Sequence, residues 1–117
     1  MKAVIEVSRK GSVLNAAREQ IAGAKRGRAP DYRLSFESAR TLFAELTPAR
    51  LDLLNTLRGM GPGSVYALAK AAGRNYSNVH ADIVRLVDLG LVERAEDDTV
   101  LVPFDAVEIR MALAPVA

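Results

Sequence analysis

The 117-residue chain contains no cysteine and a single histidine, His80. Without cysteine, disulfide bonds, thiolate zinc sites and a cysteine nucleophile are excluded. One histidine does not build a typical zinc site, so only a metal site made of carboxylates stays open. Gly59, Gly61 and Gly63 are interrupted by Pro62 and lack the lysine of a phosphate-binding loop. No serine and aspartate spacing near His80 suggests a catalytic triad. We therefore expect a protein that is not an enzyme and binds no cofactor.

Long hydrophobic runs are also missing. The opening apolar run is too short for the core of a signal peptide. No stretch approaches the roughly 20 apolar residues that cross a bilayer. These absences predict a cytoplasmic protein. If the protein binds DNA, we expect it to be associated with the nucleoid.

The composition is that of a soluble globular protein, with 50% hydrophobic and 26% charged residues. The net charge of +2 is unevenly distributed. Residues 1–46 carry nine Lys and Arg against five Asp and Glu, whereas residues 47–117 carry seven against nine. A basic first part is compatible with a polyanionic partner.

The first 45 residues predict a strand–helix–strand segment. Ala3 to Val7 is rich in β-branched residues and predicts a strand. Ser12 is placed to cap a helix through Ala24, and a basic loop follows. Tyr32 to Phe36 predicts a second strand, and Glu37 to Glu45 a short helix. We interpret residues 1–45 as an N-terminal extension that could serve in dimerisation.

Residues 46–117 predict three helices, a β-hairpin and a final strand. Thr47-Pro48 begins the first helix, which is predicted to stop at Gly59. Ser64 caps the second helix, and Asn75 caps the third. The hairpin is predicted over Leu91 to Arg94 and Val100 to Val102, and the alternation over Val107 to Leu113 predicts a half-buried strand.

The third helix has the pattern expected of a helix that lies in the DNA major groove. At 100° per residue, Val79, Ile83 and Leu86 point inward. The opposite face is polar near its N-terminus, where small Ser77 and Ala81 would permit close approach. The residues that we predict to bind DNA are Arg74, Asn75, Ser77, Asn78, His80, Ala81, Arg85 and Arg94. An asparagine such as Asn78 can make a bidentate contact with adenine.

This order of elements resembles a known family. Residues 46–94, and above all Asn78-Val79-His80 followed by Leu89-Gly90-Leu91-Val92, resemble winged helix-turn-helix regulators of the MarR and ArsR type. The whole chain, including the segment LSFES at residues 34–38, is similar to small prokaryotic regulators that are often treated as antitoxins of toxin–antitoxin modules. The resemblance implies an α+β fold and sequence-specific binding of double-stranded DNA as a homodimer, with a toxin as a further candidate partner.

The hairpin departs from the family pattern. Its tip is Glu96-Asp97-Asp98, where phosphate-binding wings carry Arg or Lys, and Asp82 adds a carboxylate on the third helix. Carboxylates near a phosphate backbone are repulsive. Either the wing points away from DNA or binding is modest and depends on dimer formation. Backbone contacts are assigned as a hypothesis to Ser64 and to the basic loop residues Lys25, Arg26 and Arg28.

Each of these residues also has a purely structural interpretation. Asn75 is first a helix cap, His80 and Arg85 would by default be polar surface, and Tyr76 is expected to pack against the second helix. The final strand would either close the core or pair two subunits. The principal function predicted is a DNA-binding regulator, and the alternative is a winged-helix module that binds protein and has little DNA affinity.

Overall fold

The computed structural model describes residues 1–8 and 31–114. The chain divides into two compact units, of which one comprises residues 1–45 and 105–117 and the other residues 46–104. The predicted helix from Ser12, and the basic loop, lie outside the described residues.

The described residues form five strands and four helices. In chain order they are β1 (Lys2–Val7), β2 (Tyr32–Phe36), α1 (Ala39–Glu45), α2 (Pro48–Met60), α3 (Val65–Ala72), α4 (Tyr76–Asp88), β3 (Glu93–Arg94), β4 (Val100–Leu101) and β5 (Ala106–Met111).

The first unit contains a three-stranded sheet in the order β2-β1-β5, in which both pairs are parallel. Parallel neighbours need a crossover connection of about a dozen residues or more, which the chain between β1 and β2 is long enough to supply. The central strand is buried on both faces, because Ala3, Val4 and Ile5 are each at most 1% exposed. Helix α1 contributes Leu42, which is fully buried.

The two faces of this sheet differ in chemistry. The register places Val107, Ile109 and Met111 on the same face as the β1 residues Ala3, Ile5 and Val7. The other face carries charged pairs: Arg33 with Glu6 at 3.6 Å, Lys2 with Glu108 at 2.5 Å, and Arg110 with Glu108 at 3.3 Å. One face of the sheet is therefore apolar, and the other face carries these three ion pairs.

The C-terminal strand is present, but its surroundings differ from those predicted. Val107, Ile109 and Met111 are 37%, 41% and 54% exposed, and Leu113 lies beyond the strand at 81%. The predicted half-burial is wrong, because the apolar side chains of β5 are each more than a third exposed. The strand lies at an edge of the sheet, with only β1 beside it in the described part of the chain. The strand also groups with residues 1–45 and not, as the division at residue 46 supposed, with the three helices.

The second unit is a winged helix-turn-helix, as predicted. Thr47 accepts a hydrogen bond from the Arg50 backbone N–H at 3.2 Å and caps α2, with Pro48 in the first helical turn. Helix α2 continues past the predicted stop to Met60, and Gly61 forms its cap with φ +79°. The core is made of residues that are at most 7% exposed: Leu46, Leu53, Leu54, Leu57, Val65, Leu68, Ala69, Val79, Ile83, Leu86, Leu91, Val92, Val100, Val102 and Phe104.

The hairpin is joined to the helices through the turn before α3. Strands β3 and β4 pair antiparallel, and they are shorter than the predicted strands. The Gly63 N–H donates to the Val100 carbonyl at 3.1 Å, and the Val100 N–H donates to the Gly63 carbonyl at 2.8 Å. These two bonds make the turn a third, one-residue strand and fix the hairpin as a wing.

Candidate nucleic-acid interface

The turn between α3 and α4 sets the direction of the exposed helix. Gly73 ends α3 in the left-handed conformation at φ +66°, which a glycine adopts without a side-chain clash. The Arg74 N–H donates to the Ala69 carbonyl at 3.0 Å and closes this end of α3. Asn75 then begins α4, because its side-chain oxygen accepts from the Ser77 and Asn78 N–H groups at 2.9 and 3.3 Å.

The predicted inward stripe of α4 is confirmed. Val79, Ile83 and Leu86 are each 0% exposed. Their spacing of three and four residues keeps them on one side of the helix. The stripe fixes α4 to the rest of the unit, so its opposite side is held outward.

The outer side of α4 carries most of the predicted DNA-binding residues. Ser77, Asn78, His80 and Ala81 are all exposed. Small side chains at positions 77 and 81 leave room for the edges of bases, and the Asn78 amide offers both a donor and an acceptor. The structure thus brings these four side chains together on the first two turns of the helix.

Two capping residues in the predicted set already have structural partners. The Asn75 side-chain oxygen is occupied by the helix N-terminus, which agrees with its interpretation as a cap. The Ser64 hydroxyl accepts from the Ala67 N–H at 3.0 Å, and its own proton is still able to donate. Both residues lie at helix N-termini, where backbone N–H groups favour an anion.

Arg74 and Asp82 form an ion-pair cluster with Arg50. Arg74 Nη2 lies 2.8 Å from Asp82 Oδ2, and Arg50 Nε lies 3.0 Å from Asp82 Oδ1. Burial by itself raises the pKa of the Asp82 carboxyl, but the hydrogen bonds and charges of Arg74 and Arg50 outweigh it and hold that pKa below its ordinary value. The Asp82 side chain is only 16% exposed. Its charge is therefore neutralised locally, unlike the repulsive surface carboxylate expected from the sequence.

The cluster also changes what Arg74 can do. Its Nη1 atom is buried, and its side chain as a whole is 31% exposed. Arg74 is thus first a structural partner of Asp82, and the predicted contact of Arg74 with DNA stays a prediction. Two guanidinium groups on one carboxylate leave the cluster with a net positive charge at the start of α4.

The two other predicted arginines each make a long surface ion pair. Arg85 Nη1 is 4.0 Å from Asp88 Oδ2, and Arg94 Nη1 is 3.7 Å from Asp98 Oδ1. Pairs this long between exposed groups contribute little stability. The pair of Arg94 would therefore not strongly oppose a turn of its guanidinium toward a phosphate.

The tip of the wing is acidic and fully exposed. Glu96, Asp97 and Asp98 are all exposed, and Asp98 has a left-handed backbone at φ +63°. Hydrogen bonds from Thr99 hold the pKa of Asp97 below its ordinary value. Residues 46–104 together contain six Lys and Arg against seven Asp and Glu. This unit therefore carries a net charge of −1, and the positive charge of the chain resides elsewhere.

Three exposed side chains near the site were not predicted to belong to it. Val84 is 41% exposed, one turn beyond Ala81, and helical spacing alone could have identified it. Tyr66 at the start of α3 is 67% exposed. Tyr76 is 48% exposed, with its ring centroid 5.8 Å from that of His80, and its expected packing against α3 stays a prediction.

Comparison with known proteins places the chain in a family. The model of the family described as HVO_A0114 matches residues 45–109, which is more than half of the chain. The chain belongs to the HVO_A0114 family. The matched region of this HVO_A0114 protein begins just before α2 and covers the three helices, the wing and part of β5.

A solved structure is also similar to the chain. It is the solution NMR structure of the homodimeric winged helix-turn-helix DNA-binding domain (fragment 1–100) of Mb0332 from Mycobacterium bovis, "a possible ArsR-family transcriptional regulator". The likeness has 21% identity and a TM-score of 0.47, and it covers 81% of this chain and 74% of that one. No functionally curated protein matches the chain.

Among the described residues, no helix is long and apolar enough to span a membrane, and no group of acidic or histidine side chains could hold a metal ion.

Proposed function

We propose that this HVO_A0114 protein binds double-stranded DNA as a transcriptional regulator, with the N-terminal half of α4 in the major groove. One observation carries the proposal. The side of α4 opposite its fully buried stripe is exposed and bears small and amide side chains directly after the capped N-terminus. A recognition helix needs this combination of a fixed back and an open, polar front.

The exposed residues match the chemistry of base edges. The major groove is about 12 Å wide and accommodates a helix. In it, Asn78 would pair its amide with adenine, while Ala81 and Val84 would contact thymine methyl groups. Ser77 would donate to a base or to a phosphate, and His80 would contact the flank of the groove.

Phosphate contacts would come from neutral donors and from cations. The Ser64 hydroxyl and the N-termini of α3 and α4 supply neutral donors, and Arg74 adds the residual charge of its cluster with Asp82. Arg85 and Arg94 would add two cations, and the ion pair that Arg94 makes is long and lies at the surface. Since residues 46–104 are slightly acidic, we assign further phosphate contacts to the basic loop with Lys25, Arg26 and Arg28.

The test of α4 uses matched variants and fluorescence anisotropy on a labelled duplex from upstream of the protein's own gene. N78A removes the amide from α4, and N55A removes an exposed amide from α2. We expect N78A to weaken binding by about 1–3 kcal/mol, or roughly 5- to 150-fold, and N55A to leave it unchanged. Equal affinities for N78A and the parent protein would remove Asn78 from the interface.

A second pair tests close approach. A81E places a long anionic side chain on the outer side of α4, and A49E places the same group on the exposed first turn of α2. We expect A81E to abolish duplex binding while A49E retains it, with both variants melting near the parent temperature. Retention of binding by A81E would overturn the placement of α4 in the groove.

The finer roles also belong to the proposal. A homodimeric repressor would read two half-sites about 34 Å apart, as two-fold symmetry and the helical repeat of DNA require. The autoregulating antitoxin role implied by the sequence resemblance stays a prediction. Addition of the product of the neighbouring gene to the binding assay tests it, because a toxin partner would form a complex and change operator affinity.

The acidic wing favours a second candidate, a winged-helix module that binds a basic protein. Its support is the exposed cluster Glu96-Asp97-Asp98 together with the net charge of −1 over residues 46–104. Retention on a random duplex at low salt separates the two functions, since a DNA-binding protein is retained through its phosphate contacts. Absence of any retention would favour the protein-binding module.

A further inference from the structure

Among the described strands of the first unit, the outer edge of β5 is the most exposed. Five of its six residues are exposed, whereas the other edge strand, β2, contains no exposed residue. In the described part of the chain only β1 pairs with β5, so none of the described strands lies beside the opposite side of its backbone. An unpaired edge is a template for another strand.

The edge carries two charged residues, Glu108 and Arg110, but it lacks the other features that block such pairing. Over Ala106–Met111 there is no proline, no glycine and no lysine, and the strand pairs with β1 in register over all six residues without a bulge. Natural edge strands are commonly protected by one of these devices. Val107, Ile109 and Met111 add an apolar side that is 37–54% exposed.

The sequence of β5 is self-complementary in one antiparallel register. If two copies pair with Ile109 opposite the partner's Ile109, each residue before position 109 faces the residue equally far after position 109 in the partner. Glu108 therefore faces the partner's Arg110, and Arg110 faces the partner's Glu108. Val107 then faces the partner's Met111 on the apolar side. Opposite charges and apolar pairs directly across an antiparallel ladder are both favourable.

We infer that β5 pairs antiparallel with β5 of a second copy of this chain, with Ile109 on the two-fold axis. The resulting dimer contains a continuous six-stranded sheet in which the Lys2–Glu108–Arg110 ion pairs extend across the axis. A two-fold interface uses the same surface on both subunits, as this register does. The edge of β2 does not offer the same match, because pairing about Leu34 would set Arg33 opposite Ser35.

This inference rests on the proposed function only for the expectation of a homodimer, and it requires no DNA. Its first test introduces one cysteine into the cysteine-free chain. In I109C the two thiols face each other, with Cα atoms about 4.5–5.5 Å apart, within the range of a disulfide. V107C is the matched control. Position 107 lies on the same side of β5, but in this register it faces position 111 of the partner, four residues away from the partner's position 107.

Under mild oxidation we expect I109C to form a disulfide-linked dimer at least about tenfold faster than V107C. A mixture of V107C and M111C should cross-link between the two variants, because these positions face each other. Equal rates for I109C and V107C, or no cross-link in I109C, would overturn the register.

The second test measures mass by sedimentation equilibrium without DNA. The parent chain should be a dimer, and E108R and R110E should each be monomeric, because each sets like charges opposite each other. Mixing E108R with R110E should restore dimers, since positions 108 and 110 are then both basic in one copy and both acidic in the other. A monomeric parent chain, or dimeric single variants, would overturn the inference. Both results are obtained without DNA, and duplex binding by α4 is measured in a separate assay. Failure of the β5 pairing is therefore distinguishable from failure of the proposed function.

Discussion

The guanidinium of Arg74 donates a 2.8 Å hydrogen bond to the carboxylate of Asp82, and this bond ties the turn before α4 to the second turn of that helix. Arg50 of α2 contacts the other oxygen of the same carboxylate at 3.0 Å. One carboxylate therefore connects α2, the turn and α4. The orientation of the candidate recognition helix depends on this cluster as well as on its apolar stripe.

The first prediction is that D82N destabilises the fold by about 1–3 kcal/mol, because two partly buried guanidinium groups lose a charged acceptor. Urea unfolding followed by circular dichroism measures this loss. D88N is the matched control on the same helix. Asp88 is 61% exposed and 4.0 Å from Arg85, so D88N should stay within about 0.5 kcal/mol of the parent. Equal effects of the two variants would show that the cluster adds no stability.

The second prediction concerns acid. The pKa of Asp82 is lower in the folded chain than its ordinary value, so its contribution is present at neutral pH and is lost as pH falls below about 4 and through the folded pKa. The difference in unfolding free energy between the parent and D82N should therefore shrink from pH 6 to pH 3. A difference that stays constant over this range would contradict the charge-based account.

The third prediction compares two glycines. Gly73 has φ +66°, and a Cβ there would meet no atom within 4 Å, so the cost of G73A is conformational alone. We expect G73A to lower the unfolding free energy by about 1 kcal/mol or more. Gly59 lies inside α2 with open space around it, and G59A should raise stability by about 0.5–1 kcal/mol. Thermal unfolding of both variants checks the opposite signs.

The winged helix could be predicted from the sequence because its signals are local. Thr47, Ser64 and Asn75 each precede an apolar stripe at helical spacing, and each caps the helix that was expected. Val79, Ile83 and Leu86 show the same periodicity in sequence as in burial. Caps and stripes act over three or four residues, so they do not depend on the rest of the fold.

The features that the sequence did not reveal depend on contacts between distant residues. The pairing of β5 with β1 joins residues about a hundred positions apart, and alternation alone cannot show whether a strand is central or at an edge. From the sequence alone Asp82 is expected to be a repulsive surface charge, because its partner Arg50 lies 32 positions away. The exposure of Tyr76 likewise depends on how α3 and α4 pack.

The last prediction concerns the acidic wing. E96Q/D98N removes two negative charges, and Asn tolerates the left-handed conformation at position 98, where φ is +63°. If the wing lies near the phosphate backbone, duplex affinity at low salt should rise by about threefold or more, because like-charge repulsion is relieved. The gain should vanish at high salt through screening. K70Q, which neutralises an exposed residue of opposite sign on α3, is the reciprocal control and should not raise affinity. An unchanged duplex affinity combined with weaker capture of a basic partner would instead assign the wing to protein binding.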